Sequence, residues 1–435
     1  MTSENEKKTK LAELITIKHG YAFKGSSMVD YATNEVLVTP GNFAIGGGFK
    51  SSKLKYHSGV IPDGYILEPG QLVVTMTDLS KESDTLGYSA LVPDDDYTYL
   101  HNQRIGLVKI KDETVLDKLY LYFLMRSPSY RHEVLASSTG TSVKHSSPSK
   151  ILNFEFVLPN INIQRKVAGY LYSLELKIAN NTAMNQTLEK IAQRIFKSWF
   201  IDFDPVKANK EGVAFDGLSP EIQALFPNEF EESELGMVPK GWIPSTIGEE
   251  FDLVMGQSPK GTSYNEDAEG TVFFQGRRDF NFRFPSVRVY TTEPKKIAKQ
   301  GDTLLSVRAP VGDVNIALEE CCVGRGLAAL RHKSNCSSLT YYTVANLKRI
   351  FDSFDTEGTV FGSINQKDLK SLKVIKMSED VASAFSKVIS PLDERIKQNT
   401  QNTICLERLR DRLLPKLISG QITVGEAQKE LAEAI

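Results

Sequence analysis

Four cysteines in 435 residues (Cys321, Cys322, Cys336, Cys405) are too few for a disulfide framework and suit a reducing compartment. No apolar run approaches the roughly 20 residues needed to cross a bilayer. The opening MTSENEKKTK lacks the apolar core of a signal peptide, so a cytoplasmic protein is expected. There is also no excess of either charge: 52 Lys and Arg face 54 Asp and Glu, a net −2, which excludes a global electrostatic pull on nucleic acid and leaves only local fields. What remains is an ordinary globular composition, 41% hydrophobic and 24% charged, long enough for two to four domains.

Catalytic signatures are missing too. No Gly-x-x-x-x-Gly-Lys-Ser/Thr phosphate loop occurs, since Gly20 to Gly25 has the wrong order, and Gly324-Arg-Gly326 is not followed by a third glycine. Asp204-Pro205-Val206 lacks the second proline and the aromatic of an amino-methyltransferase box. Cys321, Cys322, His332 and Cys336 match no standard zinc spacing. His101 and His145 read as structural or surface histidines, and no Ser/His/Asp set has local support. No catalytic residue and no metal ligand is expected.

What is present is an internal duplication. Gly140-Thr141 returns as Gly358-Thr359, and Leu174–Phe200 overlays Leu392–Ile418 at a fixed displacement of 218 residues. Upstream, Gly70 pairs with Gly301 and Arg104 with Arg325. A period this long is a duplicated domain pair, not a solenoid. The expected boundaries are 1–160 and 245–378 for two α+β modules, 161–204 and 379–420 for two long helices, 205–244 for a linker and 421–435 for a tail. Short β-rich runs (Glu35–Val38, Gln71–Met76, Ile105–Ile110; then Val272–Phe274, Thr303–Val307, Leu327–Leu330) and a helix in each module (Thr114–Met125, Thr340–Asp352) carry the modules.

The long helices are marked by a 4,3 apolar seam. It runs through Val167, Leu171, Leu174, Ile178, Asn181, Asn185, Leu188, Ala192, Ile195 and Trp199, and again through Phe385, Ile389, Leu392, Ile396, Asn399, Thr403, Leu406, Arg410, Leu413 and Leu417. A heptad held this long predicts a coiled coil, most economically the two helices packed antiparallel with a module beyond each end. The alternative is two amphipathic helices, each covering its own module. Asn181–Asn185 and Asn399–Thr403 make both seams polar at matching places, which fixes register. Pro391 should start or kink the second helix. At about 1.5 Å per residue the first seam spans roughly 50 Å, so the helices would act as a ruler between modules.

Binding signals are local. Residues 202–240 hold nine acids against three lysines, whereas 271–299 hold seven Arg and Lys against two acids. In the latter, Gln275, Arg277, Arg278, Arg283 and Arg288 alternate with Phe280, Phe282, Phe284 and Tyr290. Arginine can take guanine O6 and N7 as a pair, glutamine can take adenine, and either can hold phosphate. Alternating phenylalanines on a strand are better read as a core face, leaving the arginines on the solvent face. In the first module Gly46-Gly-Gly48 either lets backbone approach a ligand or forms a loose turn, followed by Lys50, Lys53 and Lys55. Gln103, Arg104, Lys144, Arg308 and Arg325 complete the DNA-binding candidates.

Particular strings carry a family resemblance: Tyr21-Ala-Phe-Lys24, Leu100-His-Asn-Gln-Arg-Ile-Gly106, Lys197-Ser-Trp-Phe-Ile-Asp-Phe-Asp-Pro-Val206, Glu234-Leu-Gly-Met-Val-Pro-Lys-Gly-Trp242, Arg308-Ala-Pro-Val-Gly312, Gly358-Thr-Val-Phe-Gly-Ser-Ile-Asn365, and the last helix from Leu406 to Gly420. Over essentially the whole chain these resemble the specificity subunits of Type I restriction–modification systems. The resemblance implies two target-recognition domains, each reading half of a split, asymmetric double-stranded DNA sequence. It also implies helices that separate them and bind two methyltransferase subunits, with restriction subunits joining. S-adenosylmethionine, ATP and Mg would sit on the partner chains. Two other classes stay open, a coiled-coil scaffold without DNA contact and a fused methyltransferase or nuclease.

Overall fold

A computed structural model describes residues 8–78, 80, 82–140, 143–356 and 362–434. The repeats at Thr141 and Gly358-Thr359 therefore lie outside the described residues. The chain divides into two compact units, Met1–Thr182 with Thr400–Ile435, and Ala183–Asn399.

In the first unit a four-stranded antiparallel sheet has the order Ile15–His19, Ile105–Ile110, Leu72–Thr75, Ser89–Leu91. A five-stranded sheet runs Met28–Val29, Tyr56–His57, Glu35–Val38, Thr98–His101, Ile66–Leu67, with Glu35–Val38 and Thr98–His101 parallel. The strand Leu72–Thr75 is buried on both faces, and its side-chain alternation divides two cores. Val73 joins Val36, Val38 and Tyr99 between the sheets. Leu72 and Val74 pack instead with Tyr120, Leu121 and the long-helix residues Leu171 and Leu174. Lys8–Lys10 pairs with Glu155–Val157 at the module's base.

The second unit repeats this order strand for strand. Its four-stranded sheet is Phe251–Met255, Leu327–His332, Thr303–Ser306, Val314–Ile316, and its five-stranded sheet is Tyr264–Asn265, Tyr290–Thr291, Thr271–Phe274, Cys321–Val323, Ile297–Ala298. Ile243–Thr246 pairs with Lys373–Lys376. Leu304 and Leu305 again face different cores. Ladder register places Thr75 and Ser306 alike, each pairing the first residue of the next sheet strand, Ile105 or Leu327. That agrees with the Gly70/Gly301 pairing, both glycines being left-handed at φ +73 and +84. It shifts the other pair by one residue: Ile105 N donates to Asn102 O and Leu327 N to Gly324 O, so Gln103, not Arg104, stands opposite Arg325.

Each long helix spans 40 residues, Ile161–Phe200 and Glu379–Ile418. Asn160 and Ser378 cap their starts, and Gly420 at φ +72 ends the second. Along the seam Arg410 meets Glu175 at 3.7 Å, Asn399 Nδ2 donates to Asn185 Oδ1 at 2.9 Å, and Phe385 packs on Trp199 and Phe200. Early positions of one helix face late positions of the other, so the helices pack antiparallel. All the seam positions read from the heptad are buried or half-buried. Pro391 does not start the second helix: it is exposed inside an unbroken helix, where water can meet the carbonyl it leaves without a helical donor.

Two segments differ from expectation. Residues 205–244 contain the helix Asp204–Glu211 and the hairpin Phe230–Ser233/Gly236–Pro239, with Phe226 and Trp242 buried against Trp199 and Phe200. The short apolar stretches suffice because they dock onto aromatics at the helix end. The tail forms a helix, Val424–Ala434, whose Ala427 is buried and takes a hydrogen bond from Tyr170 Oη at 3.0 Å. The helices expected over Thr340–Asp352 and Thr114–Met125 are Ser337–Asn346 followed by Lys348–Thr356, and Lys118–Leu124.

Candidate nucleic-acid interface

The basic segment of the second module leaves the sheet at Phe274 and makes one 3-10 turn, Arg277–Asp279. The turn is built around Asp279. This buried carboxylate accepts from Gln275 N at 2.8 Å and Gly276 N at 3.4 Å and pairs with Arg288. A side chain is crowded out at 326, where a Cβ would lie 2.8 Å from Gln275 O, and is tight at 324, where it would lie 3.0 Å from Gln275 Cα. The Gly-Arg-Gly string thus serves close backbone approach within the protein. The result is a cleft of about 510 Å³ lined by Gln275, Gly276, Arg277, Arg278, Asp279, Arg288, Arg308, Ala309, Pro310 and Gly326. Five candidates scattered over 275–308 in sequence therefore converge on one surface. Arg277 Nε donates to Asp313 Oδ2 at 2.6 Å, and Lys348 stands 3.5 Å from the same carboxylate. The side chains of Arg278 and Arg308 are exposed and form no ion pair among the described residues.

Arg283 does not belong to this surface. The segment is not a strand: Phe282 is exposed, whereas Arg283 and Phe284 are both buried and Arg283 has φ +67. The turned backbone sends its guanidinium inward, 1% exposed, to Glu189 on the first long helix and Asp393 on the second. Tyr342 Oη accepts from it at 2.7 Å, and the Tyr341 ring lies 3.8 Å away. Burial pulls its pKa down, but the charges of Asp393, Tyr342, Tyr341 and Glu189 outweigh this and hold it above the ordinary arginine value. The period-2 reading failed because it assumed alternation that this irregular backbone does not have.

The first module has a matching lock from a different source. Arg126, 2% exposed, pairs with Glu175 of the first long helix, which also accepts from Tyr122 Oη at 3.0 Å. Its Nε donates to Gly46 O at 2.7 Å. The turn at glycines 46–48 is therefore tied to Arg126 rather than loose. All three are left-handed, and a Cβ on Gly47 would come within 2.6 Å of the Arg126 side chain. Gly47→Ala should thus cost about 1–3 kcal/mol, measured by urea unfolding. A loss within error would mean the turn shifts freely. The sequence held one signal for these locks: Glu175 and Asp393 are equivalent acids beside the seam residues Leu174 and Leu392.

Lys50, Lys53 and Lys55 are exposed beyond the Gly turn, and Gln103 and Arg104 are exposed on the turn after His101. Lys144 is half-buried opposite Asp78. Among the described residues these six do not share a cleft with the arginine turn's counterpart, and Arg325 is exposed and does not line the cleft of its own module. At the first module's counterpart of the arginine turn stands Pro40–Asn42, where Asn42 caps Thr39 N at 2.9 Å in the role of Asp279. Thr77, bridged to His145, occupies the place of Arg308, bridged to Ser363. The two modules share a frame and differ at the surface it presents.

His101 is buried with its Nε2 2.9 Å from Ile105 O, and burial lowers its pKa; the exposed His145 contacts Thr77. Cys321 and Cys336 lie in separate cores, and burial pushes the Cys321 thiol up to about 12. Among the described residues no group of His, Cys, Asp or Glu is arranged to hold a metal ion, and no helix is long and apolar enough to cross a membrane.

The geometry is that of a duplicated sheet module on antiparallel helices, with an arginine-lined cleft on one copy. The chain belongs to the Type I restriction modification DNA specificity domain family, whose model matches residues 3–190 and again 239–406. It is similar to the putative type I restriction enzyme MjaX specificity subunit of Methanocaldococcus jannaschii, 28% identical over 334 residues covering 75% of this chain and 72% of the relative. It is also similar to the HindI specificity subunit of Haemophilus influenzae, 23% identical over 391 residues, 77% and 84% of the two chains. The fold resembles the crystal structure of a Type-I restriction-modification S subunit from M. genitalium, with TM-score 0.62 at 16% identity over 96% of this chain and 97% of that one.

Proposed function

We infer that this chain is the DNA-recognition subunit of a type I restriction–modification complex, each module reading one half of a bipartite, asymmetric target. The observation that carries the reading is the repeated frame with divergent surfaces: Arg277, Arg278 and Arg308 in one module stand where the other has Pro40, Gly41 and Thr77. A shared frame fixes where DNA is met, and different side chains at that place recognise different sequences. The long helices would bind two methyltransferase subunits, with restriction subunits joining. The chain itself would be non-catalytic and cytoplasmic, with S-adenosylmethionine, ATP and Mg held by the partners.

The test compares the isolated chain with the chain assembled with methyltransferase subunits. The assembly should bind and methylate a specific duplex. The isolated chain should show no methyltransferase, nuclease or ATPase activity, having no nucleotide or methyl-donor motif. Methyl transfer by the contaminant-free chain would favour a fused enzyme. An assembly that shifts no DNA would favour a scaffold.

A further inference from the structure

The four cleft arginines are not equivalent. Arg277 has its Nε held by Asp313, so the plane of the guanidinium is set and the Nη1–Nη2 edge stays complete. Asp313 is braced in turn by Ser306 Oγ, which accepts from its backbone N at 3.0 Å, and by Lys348. The Asp313 carboxylate, which Lys348 shares, offsets part of the charge that would attract a phosphate and leaves the hydrogen-bond donors in place. Prior orientation also removes the ordering cost of docking. Such a group is suited to a neutral partner with two adjacent acceptors, which in the DNA major groove is the O6/N7 edge of guanine. Arg278 and Arg308 are exposed and have no carboxylate partner among the described residues, which suits them to phosphate.

We propose that Arg277 reads a guanine while Arg278 and Arg308 hold the DNA backbone, so that the half-site recognised by the second module contains a G·C pair. This rests on the DNA-recognition reading above. The assembled complex carrying Arg277→Ala, Arg277→Lys, Arg278→Ala or Arg308→Ala is tested on duplexes randomised over the target. Methylated products are sequenced, and binding is followed against salt. The half-site belonging to the second module is the one that changes when that module is exchanged.

Both Arg277 variants should lose discrimination at one G·C pair by roughly 5- to 150-fold; the lysine variant keeps the charge and guards against loss by misfolding. Arg278→Ala and Arg308→Ala should leave the motif intact and lower the log–log salt slope by about 0.9 each. A wild-type half-site without G·C, or Arg277→Ala lowering the slope with the motif retained, overturns the proposal and leaves DNA recognition standing. A wild-type complex with no sequence preference overturns DNA recognition itself. Unchanged behaviour of all four variants removes the cleft from the DNA interface.

Discussion

Arg283→Met should destabilise the unit formed by residues 183–399 by about 3–5 kcal/mol, a large share of the roughly 5–15 kcal/mol that holds a domain together. The guanidinium contributes little as a net interaction, since desolvating it offsets much of the Coulombic gain. Its removal leaves Glu189 and Asp393, brought together from the two long helices, with no cation between them. Arg283→Lys should recover only part of the loss, because one ammonium cannot reproduce a planar fork reaching Glu189, Asp393 and Tyr342. Replacing Arg283, Glu189 and Asp393 together by apolar residues of similar size should restore much of the stability. Denaturant midpoints of the full chain measure all three. A loss below about 1 kcal/mol for Arg283→Met would mean that water enters the site and solvates the acids.

Exchanging residues 246–376 for the matching module of a relative should replace one half of the methylated motif and leave the other unchanged. The cores around Ile247, Leu305 and Leu369 and around Val272, Leu304 and Ala329 are built wholly from this stretch, so the graft carries its own frame and reading surface. The graft also meets the helices through Phe284, Tyr341 and Tyr342. A donor must therefore supply an arginine at the position of Arg283, or Glu189 and Asp393 lose their partner and the exchange fails by instability rather than by specificity. Thermal melting of the assembled complex separates those failures. If both halves of the motif changed in a stable complex, the modules would not read independently.

The long helices were legible because burial on a helix repeats every 3.5 to 3.6 residues. Any run from Val167 to Trp199 that keeps this period contains its own evidence. Strands such as Glu35–Val38 and Ile105–Ile110 were legible from composition, their β-rich runs standing between turn residues. The fate of each charged side chain was not. Arg277, Arg283 and Arg288 are alike in composition and neighbours. Yet one is braced by Asp313, one is buried between Glu189 and Asp393, and one supports Asp279.

The same division holds for Gly47, where the Arg126 side chain leaves no room for a Cβ, and for residues 205–244, which are ordered by docking on Trp199 and Phe200. By itself the sequence determined the duplication, the seam and the strands, because periodicity and repetition are properties of neighbouring positions. Only the tertiary structure decided which arginines line the exposed cleft and which lock the modules to the helices. That choice depends on carboxylates brought from 36, 94 and 110 residues away, and long-range pairing leaves no local pattern to read.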